Sequence, residues 1–325
     1  MLKKPNVPII AIEEHYSDPE LTALFTGRDA FAPPHVMKAL EDVGEARLKD
    51  MDACGIDVQV LSHTAPSLQK ISSGAVELAQ RVNDRLARIV AIQPKRYAGF
   101  AVLPTSDPAA AADELARCVE KLGFKGAMIH GLAHGQFVDD QRYWPIFARA
   151  EALDVPIYLH PGIPVSAVRN AYYDGLPGNF SFSLALPTWG WHYDTAIHVL
   201  RLALSGTLDR HPKLKIIVGH MGEALPFMLD RIDETTAAEA KVRLRRSVRE
   251  TILDQVWITT SGFFTLPPFM AALLSFGVDR IMFSVDYPFA SNARARAFLD
   301  ALPVSPTDRA KIAHGTADRL LRLAG

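Results

Sequence analysis

Acidic and imidazole side chains stand at the carboxyl ends of four apolar runs in the sequence. Glu13 and His15 end the first run, His160 the second, His220 the third and Asp286 the fourth. Side chains of these types bind divalent cations and transfer protons. Any one of the histidines could be a hydrogen-bonded core residue, but the same placement at four distant positions indicates one shared site.

The spacing within the first run separates its two carboxylates. Side chains alternate across a strand, so Glu13 and His15 share one face and Glu14 points to the other. With His160 and Asp286, this pair supplies a mixed oxygen and nitrogen set that suits Zn²⁺ or Mn²⁺ and leaves positions for water or substrate. Glu14 is expected behind the strand wall, in a buried salt bridge rather than on the metal.

A further acidic residue accompanies the third histidine. Glu223 follows His220 by three residues, and Gly219 and Gly222 allow close backbone approach. Glu223 could orient the imidazole and raise its basicity, which would make a proton-transfer pair. It could also cap the next helix, and both roles are compatible. Arg231 should project from that helix, either towards a substrate carboxylate or into solvent.

The elements that must position these residues alternate between short apolar runs and longer segments of helical periodicity. The pattern predicts eight strands, over residues 8–15, 58–63, 97–104, 126–130, 156–160, 215–220, 256–261 and 280–286. It predicts helices over residues 47–54, 74–92, 108–122 and 143–153, the third one capped at Asp107 and stopped at Gly123. Eight such units predict an α/β fold, a closed (β/α)8 TIM barrel that residues 1–325 form as a single domain.

Two connections are longer than simple loops need to be. Residues 16–45 follow the first strand, and residues 161–190, rich in Pro, Gly and aromatic residues, follow the fifth. Both leave the carboxyl ends of strands, where a TIM barrel keeps its active site. We expect lids or pocket walls there, with subunit contacts as the alternative for part of each segment.

Composition narrows the class of partner. The chain has 325 residues, 49% of them hydrophobic, and 35 Lys and Arg against 36 Asp and Glu give a formal net charge of −1. This balance argues against nucleic acid and anionic membranes as partners, and no apolar run approaches the roughly 18 residues of a membrane span. Cys54 and Cys118 are too few for a disulfide framework. The sequence therefore predicts a reduced, cytoplasmic protein with a small soluble substrate.

Several motifs carry a family resemblance that runs nearly end to end. They include Ala11-Ile12-Glu13-Glu14-His15-Tyr16, Val155-Pro156-Ile157-Tyr158-Leu159-His160-Pro161, Gly219-His220-Met221-Gly222-Glu223 and Phe283-Ser284-Val285-Asp286-Tyr287-Pro288-Phe289. In these motifs the chain resembles the amidohydrolase superfamily, in its aminocarboxymuconate-semialdehyde-decarboxylase-like branch. It is most similar to the non-oxidative decarboxylases of hydroxybenzoates, such as the γ-resorcylate decarboxylases. Glu13 stands where much of the superfamily has the first histidine of a His-x-His pair, which also resembles the benzoate decarboxylases.

The resemblance implies a (β/α)8 barrel with one divalent metal, Zn²⁺ or Mn²⁺, and no organic cofactor. The ligands that it implies are Glu13, His15, His160 and Asp286. It also implies that His220 and Glu223 form a pair next to the metal, and that the protein is a homo-oligomer, a dimer or tetramer, like many relatives. Dinuclear members use a carbamylated lysine, but Lys125 precedes the fourth strand, at the wrong end of the barrel.

The favoured activity is reversible, metal-dependent decarboxylation of a hydroxylated aromatic acid, which in reverse carboxylates a phenol. Asp286 is the expected proton donor to the ring carbon, and His220 is expected to stabilise the hydroxyl charge or relay protons. Four aromatic side chains are expected to form a flat slot for the ring, although one or two could merely pack the rim: Tyr16, Trp191, Tyr287 and Phe289.

Other histidines have separate expected roles. His192 and His134 stand where the resorcylate enzymes look different, and both are expected to line the pocket. His63 and His130 follow the second and fourth predicted strands. A structural hydrogen bond is the expected role of each of these two, with a place in the pocket as the alternative.

Two other functions use the same residues. A metal-bound water deprotonated by Asp286 could attack a lactone or amide, which would make the protein a hydrolase. Glu13 argues modestly against this function, because an extra carboxylate weakens the Lewis acidity of the metal. A binding or scaffold protein with a vestigial site is the third possibility, and the intact acidic and imidazole set argues against it.

Overall fold

Eight parallel strands form the centre of the protein, whose computed structural model describes residues 7–26 and 32–323. The strands are β1 (Ile10–Tyr16), β2 (Val58–His63), β3 (Tyr97–Gly99), β4 (Ala127–His130), β5 (Pro156–His160), β6 (Lys215–Val218), β7 (Val256–Thr259) and β8 (Ile281–Met282). Each strand lies beside the next one in sequence. All the carboxyl ends therefore point to the same side.

Hydrogen bonds join the strands into a ring. Strands β1 to β3 form one ladder, and β4 to β8 form another. Parallel bridges connect the two ladders, between Ala101 and Ala127 on one side and between Glu14 and Tyr287 on the other. The Asp286 amide also donates to the Glu13 carbonyl at 3.1 Å. This arrangement confirms the predicted eight-stranded α/β barrel.

Apolar side chains fill the barrel beneath its carboxyl end. Inside the ring, Ile12, Phe100, Met128, Tyr158 and Ile217 belong to one buried cluster. A larger buried cluster lies between the strands and the surrounding helices. Burying one side chain of this size contributes roughly 1.5–3 kcal/mol. Polar residues are thus left to the mouth of the ring, where the predicted site residues stand.

The helices lie in the connections between the strands. They are α1 (Pro19–Thr22), α2 (Pro34–Glu41), α3 (Glu45–Cys54), α4 (Ala75–Ile92), α5 (Pro108–Leu122), α6 (Trp144–Leu153), α7 (Ser166–Tyr172), α8 (Phe180–Ser183), α9 (Gly190–Leu204), α10 (Thr207–Arg210), α11 (Leu225–Arg243), α12 (Val248–Gln255), α13 (Leu266–Phe276), α14 (Asn292–Ala301), α15 (Pro306–Ala310) and α16 (Thr316–Leu321). Among these described helices, none combines the length and the apolar composition that spanning a lipid bilayer requires.

The four helices predicted from periodicity are present as α3 to α6. Helix α5 shows why the local signals are reliable. At its start, the Asp107 side chain accepts a hydrogen bond from the Ala110 amide, and Pro108 occupies the first turn. At its end, the helix stops at Gly123, whose φ is +73°. A residue without a Cβ adopts that backbone conformation most easily.

Several strands are shorter than predicted, and near the barrel mouth side-chain hydrogen bonds supplement the backbone pairing. The predicted strand 280–286 is continuous only as far as Met282, although the Asp286 amide still bonds to the Glu13 carbonyl. Beyond it, the Thr260 hydroxyl accepts the Ser284 amide at 3.0 Å and donates to the Ser284 carbonyl at 2.7 Å, while Glu14 accepts the Val285 amide at 2.8 Å. The predicted strands 97–104, 215–220 and 256–261 also end early, at Gly99, Val218 and Thr259.

The two long connections contain short helices. The first holds α1 and α2, and its residues 27–31 lie outside the described part of the chain. The second holds α7, α8 and a π-helical turn, Leu184–Thr188, in which Leu186 departs from helical geometry with φ −106° and ψ −111°. This turn brings the second connection back to the start of α9.

His198 of α9 is a buried base whose protonation should destabilise the fold. Its Nε2 accepts the Val138 amide at 3.0 Å, and burial lowers its pKa from 6.5 to about 4. Between these two pH values the unfolded chain binds a proton that the folded chain does not, so stability falls as the pH falls. We expect wild type to lose about 3 kcal/mol more than His198→Gln between neutral pH and pH ~4, measured by urea unfolding.

The control is His35→Gln, at an exposed position. This variant should keep the pH dependence of wild type. Parallel stability curves for wild type and His198→Gln would contradict the assignment.

Candidate active site

Glu13 lies at the centre of the barrel mouth with one carboxylate oxygen anchored. The residue is 0% exposed. Its Oε2 accepts hydrogen bonds from the hydroxyls of Tyr158, Thr259 and Ser261. Gly219 passes so close that a Cβ there would stand 2.6 Å from Oε2. Three hydroxyls and one glycine therefore fix the carboxylate in a single orientation.

The other oxygen of Glu13 faces imidazoles. Its Oε1 lies 3.3 Å from His160 Nε2 and 3.6 Å from His220 Nε2. The Nδ1 of His160 lies 2.8 Å from the Pro161 carbonyl, so Nδ1 carries the proton and Nε2 faces the site. Burial opposes the ionisation of Glu13, but His220, His160 and His15 outweigh it and hold its pKa far below the usual value.

His15 and Asp286 face each other across the same mouth. His15 Nε2 lies 3.3 Å from Asp286 Oδ1, and Asp286 Oδ2 lies 3.7 Å from His220 Nε2. Burial lowers the pKa of His15 despite Asp286. Burial would raise the pKa of Asp286, but His15 and His220 lower it overall. Arg47 donates to the His15 carbonyl at 2.5 Å and so holds the end of β1 in place.

This donor set fits one divalent cation. Donor atoms of Glu13, His160, His220 and Asp286 lie within 4.8 Å of one another. Two ligand atoms each about 2.1 Å from one ion stand roughly 3.0–3.4 Å apart, which matches the 3.3 Å contacts in the site. Among the described residues, Glu13 Oε1 and His15 Nε2 are buried with no hydrogen-bond partner. The predicted ligand His15 contacts Asp286 at 3.3 Å, and His220, predicted to lie next to the metal, is within the same range of distances.

Glu223 binds two histidines rather than one. Its Oε1 lies 2.6 Å from His220 Nδ1 and its Oε2 lies 2.5 Å from His192 Nδ1. Burial would lower the pKa of His220, but Glu223, Glu13 and Asp286 raise it well above the usual value. The structure thus places Glu223 beside His220, as the spacing predicted, and adds His192 to the pair.

The backbone is strained where these side chains are presented. Positive φ values occur at His220 (+51°), Met221 (+55°), Glu223 (+54°), Ala224 (+64°) and Asp286 (+71°). Side chains with a Cβ adopt this conformation at an energetic cost, and such residues cluster at functional sites. The strain lies on the two segments that follow β6 and β8.

A cavity of about 480 Å³ opens above the acidic and imidazole cluster. Its floor includes His160, His220 and Asp286. Both long connections contribute to its wall, through Pro33 in the first and Asn179, Phe182, Ser183 and Pro187 in the second. The remaining ring-bearing part of the wall consists of Trp191, His192, Phe263 and Phe289. A cavity of this volume is large enough for a small ligand with one aromatic ring.

Two of the four predicted slot residues are in the cavity wall and two are not. Trp191 and Phe289 line the cavity, and the Phe289 ring lies 5.8 Å from that of His15. Tyr16 is instead buried in the core outside the strands, 5.6 Å from the His63 ring, because strand alternation turns it to the face opposite His15. Tyr287 packs its ring on the Arg47 guanidinium at 4.7 Å.

The structure places Arg231 away from the cavity and Arg294 in its wall. The Arg231 side chain is 68% exposed on α11 and lies 3.3 Å from Glu234. Arg294 of α14 lines the cavity with Asp286 and Phe289. The sequence analysis did not single out Arg294. It could have done so, because Arg294 lies in the first turn of a helix that begins directly after the loop carrying Asp286.

Glu14 lies behind the wall as predicted, but its partners are different. Its carboxylate accepts the amide of Val285 at 2.8 Å, the amide of Tyr287 at 3.4 Å and the side chain of Gln59 at 3.3 Å. Burial raises its pKa to about 8. The expected salt bridge is therefore replaced by hydrogen bonds that tie the β8 loop to β1.

The remaining residues singled out in the sequence lie outside the cavity. His63 Nδ1 lies 2.7 Å from the Thr64 carbonyl, the expected structural bond. His130 packs 4.8 Å from the His160 ring, and neither of its nitrogens has a partner among the described residues. His134 lines a separate polar cavity. Lys125 donates to the Arg322 carbonyl at 2.9 Å, far from the mouth.

Gly219→Ala tests whether the orientation of Glu13 determines cation affinity. The new Cβ would stand 2.6 Å from Oε2, and the carboxylate cannot turn away without breaking its hydroxyl contacts. We expect Mn²⁺ affinity to fall at least about tenfold, measured by calorimetric titration of metal-depleted protein. Gly315→Ala is the matched control, since its Cβ would meet nothing nearer than 3.7 Å. Equal affinities in the two variants would refute the role of Glu13.

The sequence is similar to that of known amidohydrolases. The sequence profile of the amidohydrolase family (Amidohydro_2) matches residues 28–323. The γ-resorcylate decarboxylase of Rhizobium sp. strain MTP-10005 is 40% identical over 331 residues, covering 97% of this chain and 98% of the relative.

Solved structures agree with this result. A 2,6-dihydroxybenzoate decarboxylase complexed with 2,6-dihydroxybenzoate superposes with a TM-score of 0.88 at 39% identity, covering 98% of this chain and 100% of that chain. The dihydroxybenzoic acid decarboxylase of Polaromonas sp. JS666, with bound manganese and 2-nitroresorcinol, has a TM-score of 0.89 at 39% identity, covering 98% of each chain. The motif resemblance is confirmed, and the chain belongs to the amidohydrolase family.

Proposed function

We propose that this protein is a metal-dependent, non-oxidative decarboxylase of hydroxylated aromatic acids that uses no organic cofactor. The observation that carries the proposal is the convergence of Glu13, His160, His220 and Asp286 on the floor of an aromatic-walled cavity. Relatives at 39–40% identity are decarboxylases of dihydroxybenzoates by name. A carboxylate next to a ring hydroxyl offers two oxygen atoms to such a floor.

The site residues have distinct proposed roles. A divalent ion held by Glu13, His15, His160 and Asp286 supplies Lewis acidity for the carboxylate and the adjacent hydroxyl of the substrate. Trp191 and Phe289 hold the faces of the ring and exclude water.

Asp286 delivers the proton that replaces the carboxyl group. A C–H bond forms at the ring carbon, the C–C bond to the carboxylate breaks, and its electron pair returns to the ring as CO₂ leaves. His220 Nε2 lies 3.7 Å from Asp286 Oδ2, so His220 can supply the proton that Asp286 delivers.

The assay of this function is CO₂ release from a panel of hydroxybenzoates by Mn²⁺-loaded protein. We expect turnover, and we expect Asp286→Asn to lower kcat by about 10²-fold or more. Asp279→Asn, at an exposed carboxylate in a surface ion pair with Lys311, is the control and should retain activity. Absence of CO₂ release across the panel, with no carboxylation of the matching phenols, would overturn the proposal. Hydrolysis of dihydrocoumarin-type lactones without CO₂ release would favour the hydrolase instead.

Arg294 is proposed to attract the substrate carboxylate at the cavity entrance. Its guanidinium lies near the Phe264 ring, at 6.0 Å, and no carboxylate pairs with it among the described residues. We expect Arg294→Met to raise KM about tenfold with little change in kcat. Arg243→Met removes a 73% exposed guanidinium from α11 and should leave KM unchanged. Equal KM values for the two variants would remove Arg294 from the substrate path.

Three finer properties complete the proposal. We assign Mn²⁺ rather than Zn²⁺ as the metal. The two carboxylates in the ligand set and the manganese in the Polaromonas structure support this assignment.

We assign a homo-oligomer, a dimer or tetramer. This assignment is supported by Phe227 and Trp189, both largely exposed beside one apolar cavity, and light scattering tests the mass of the assembly. We assign a reducing, cytoplasmic setting, supported by two free, buried cysteines; fractionation of expressing cells tests the location.

A further inference from the structure

Both oxygens of the Glu223 carboxylate are occupied by imidazole nitrogens. Oε1 lies 2.6 Å from His220 Nδ1, and Oε2 lies 2.5 Å from His192 Nδ1. Glu223 is 1% exposed, so water does not compete for these oxygens. At these distances each carboxylate oxygen accepts a hydrogen bond from the imidazole nitrogen that faces it. Both Nδ1 atoms therefore carry protons.

The two contacts together determine where His220 points. With Nδ1 bonded to Glu223, His220 turns Nε2 towards Glu13 Oε1, at 3.6 Å, and Asp286 Oδ2, at 3.7 Å. A carboxylate held at one oxygen can rotate about its Cγ–Cδ bond, whereas a carboxylate held at both oxygens cannot. The bond from His192 thus removes the rotation that would release His220.

His192 also connects this carboxylate to the cavity wall. Its Nε2 lies 2.9 Å from the Pro187 carbonyl and 3.2 Å from Trp191 Nε1. Pro187 and Trp191 both line the cavity above the acidic cluster. The imidazole of His192 is therefore held between the Glu223 carboxylate and the wall that surrounds the substrate.

The protein groups around His192 and Glu223 are mostly apolar. Both side chains line a second cavity of about 380 Å³, whose wall includes Trp189, Phe227 and Phe263. If His192 lost its donor, Oε2 would face apolar groups. A buried carboxylate oxygen without a donor is unfavourable, so the carboxylate would turn or become protonated.

We propose that His192 is a positioning residue, which locks Glu223 so that His220 keeps its catalytic orientation, and which transmits the position of the cavity wall to this pair. The proposal rests on the proposed decarboxylation. His192 lines the cavity, as the sequence predicted, and both of its ring nitrogens contact protein groups.

Two variants of His192 separate positioning from packing. His192→Phe keeps a ring of similar size but has no donor, whereas His192→Asn places an amide nitrogen where Nδ1 stands. On Mn²⁺-loaded enzyme we expect His192→Phe to lower kcat about 10-fold or more with KM changed less than about twofold, and His192→Asn to recover most of kcat. His35→Phe, at an exposed histidine, is the control for the substitution itself.

A second measurement does not depend on turnover. Short hydrogen bonds that an imidazole N–H donates to a carboxylate give proton resonances far downfield. We expect two such resonances in the wild type, one from His192 and one from His220. His192→Phe should lose one resonance and shift the other, while His192→Asn should keep the His220 resonance near its original position. Metal analysis should show equal metal content in all variants.

Each result bears on the proposal. A raised KM with unchanged kcat in His192→Phe would overturn it in favour of a substrate contact. Equal loss of kcat in the Phe and Asn variants, or a His220 resonance unmoved by His192→Phe, would also overturn it. The resonances can be measured even if no hydroxybenzoate is decarboxylated, so failure of this inference and failure of the proposed function remain distinguishable.

Discussion

The rest of the structure depends on one buried charge, the Glu13 carboxylate. It lies inside a ring of parallel strands with no exposure to solvent, where an isolated charge is strongly unfavourable. Hydroxyls from β5 and the end of β7 stabilise one oxygen, and imidazoles from β5 and beyond β6 stabilise the other. Every neighbouring strand must therefore end at the height that brings its polar side chain to this carboxylate.

Side-chain hydrogen bonds, more than the backbone ladder, shape the mouth of the barrel. Thr260 and Glu14 add side-chain hydrogen bonds to the few backbone bonds of the loop that leads to Asp286. Arg47 fixes the carbonyl of His15 on the opposite side of the junction. These contacts stabilise the strained backbone at Asp286 and after β6. Together the surrounding hydrogen bonds outweigh the local conformational preference of these residues.

The cavity above this mouth is asymmetric, and the asymmetry fits the proposed chemistry. Its floor is charged and can bind a cation, its walls are aromatic, and a guanidinium stands in the wall. A flat acid would enter with its carboxylate towards the floor and its ring between Trp191 and Phe289. Glu223 lies outside this path, whereas His192 lines the cavity and joins its wall to Glu223.

The sequence by itself predicted the barrel, the family and the convergence of Glu13, His15, His160, His220 and Asp286. It could do so because strand ends in a parallel barrel meet on one side, and because helix caps such as Asp107 are local signals. Only the tertiary structure determined the orientation and contacts of side chains whose direction depends on distant segments. Tyr16 turned outward and Tyr287 stacked on Arg47, Arg294 replaced Arg231 beside the cavity, and His192 met Glu223. Those contacts join residues far apart in sequence, and no periodicity of two or 3.6 residues encodes them.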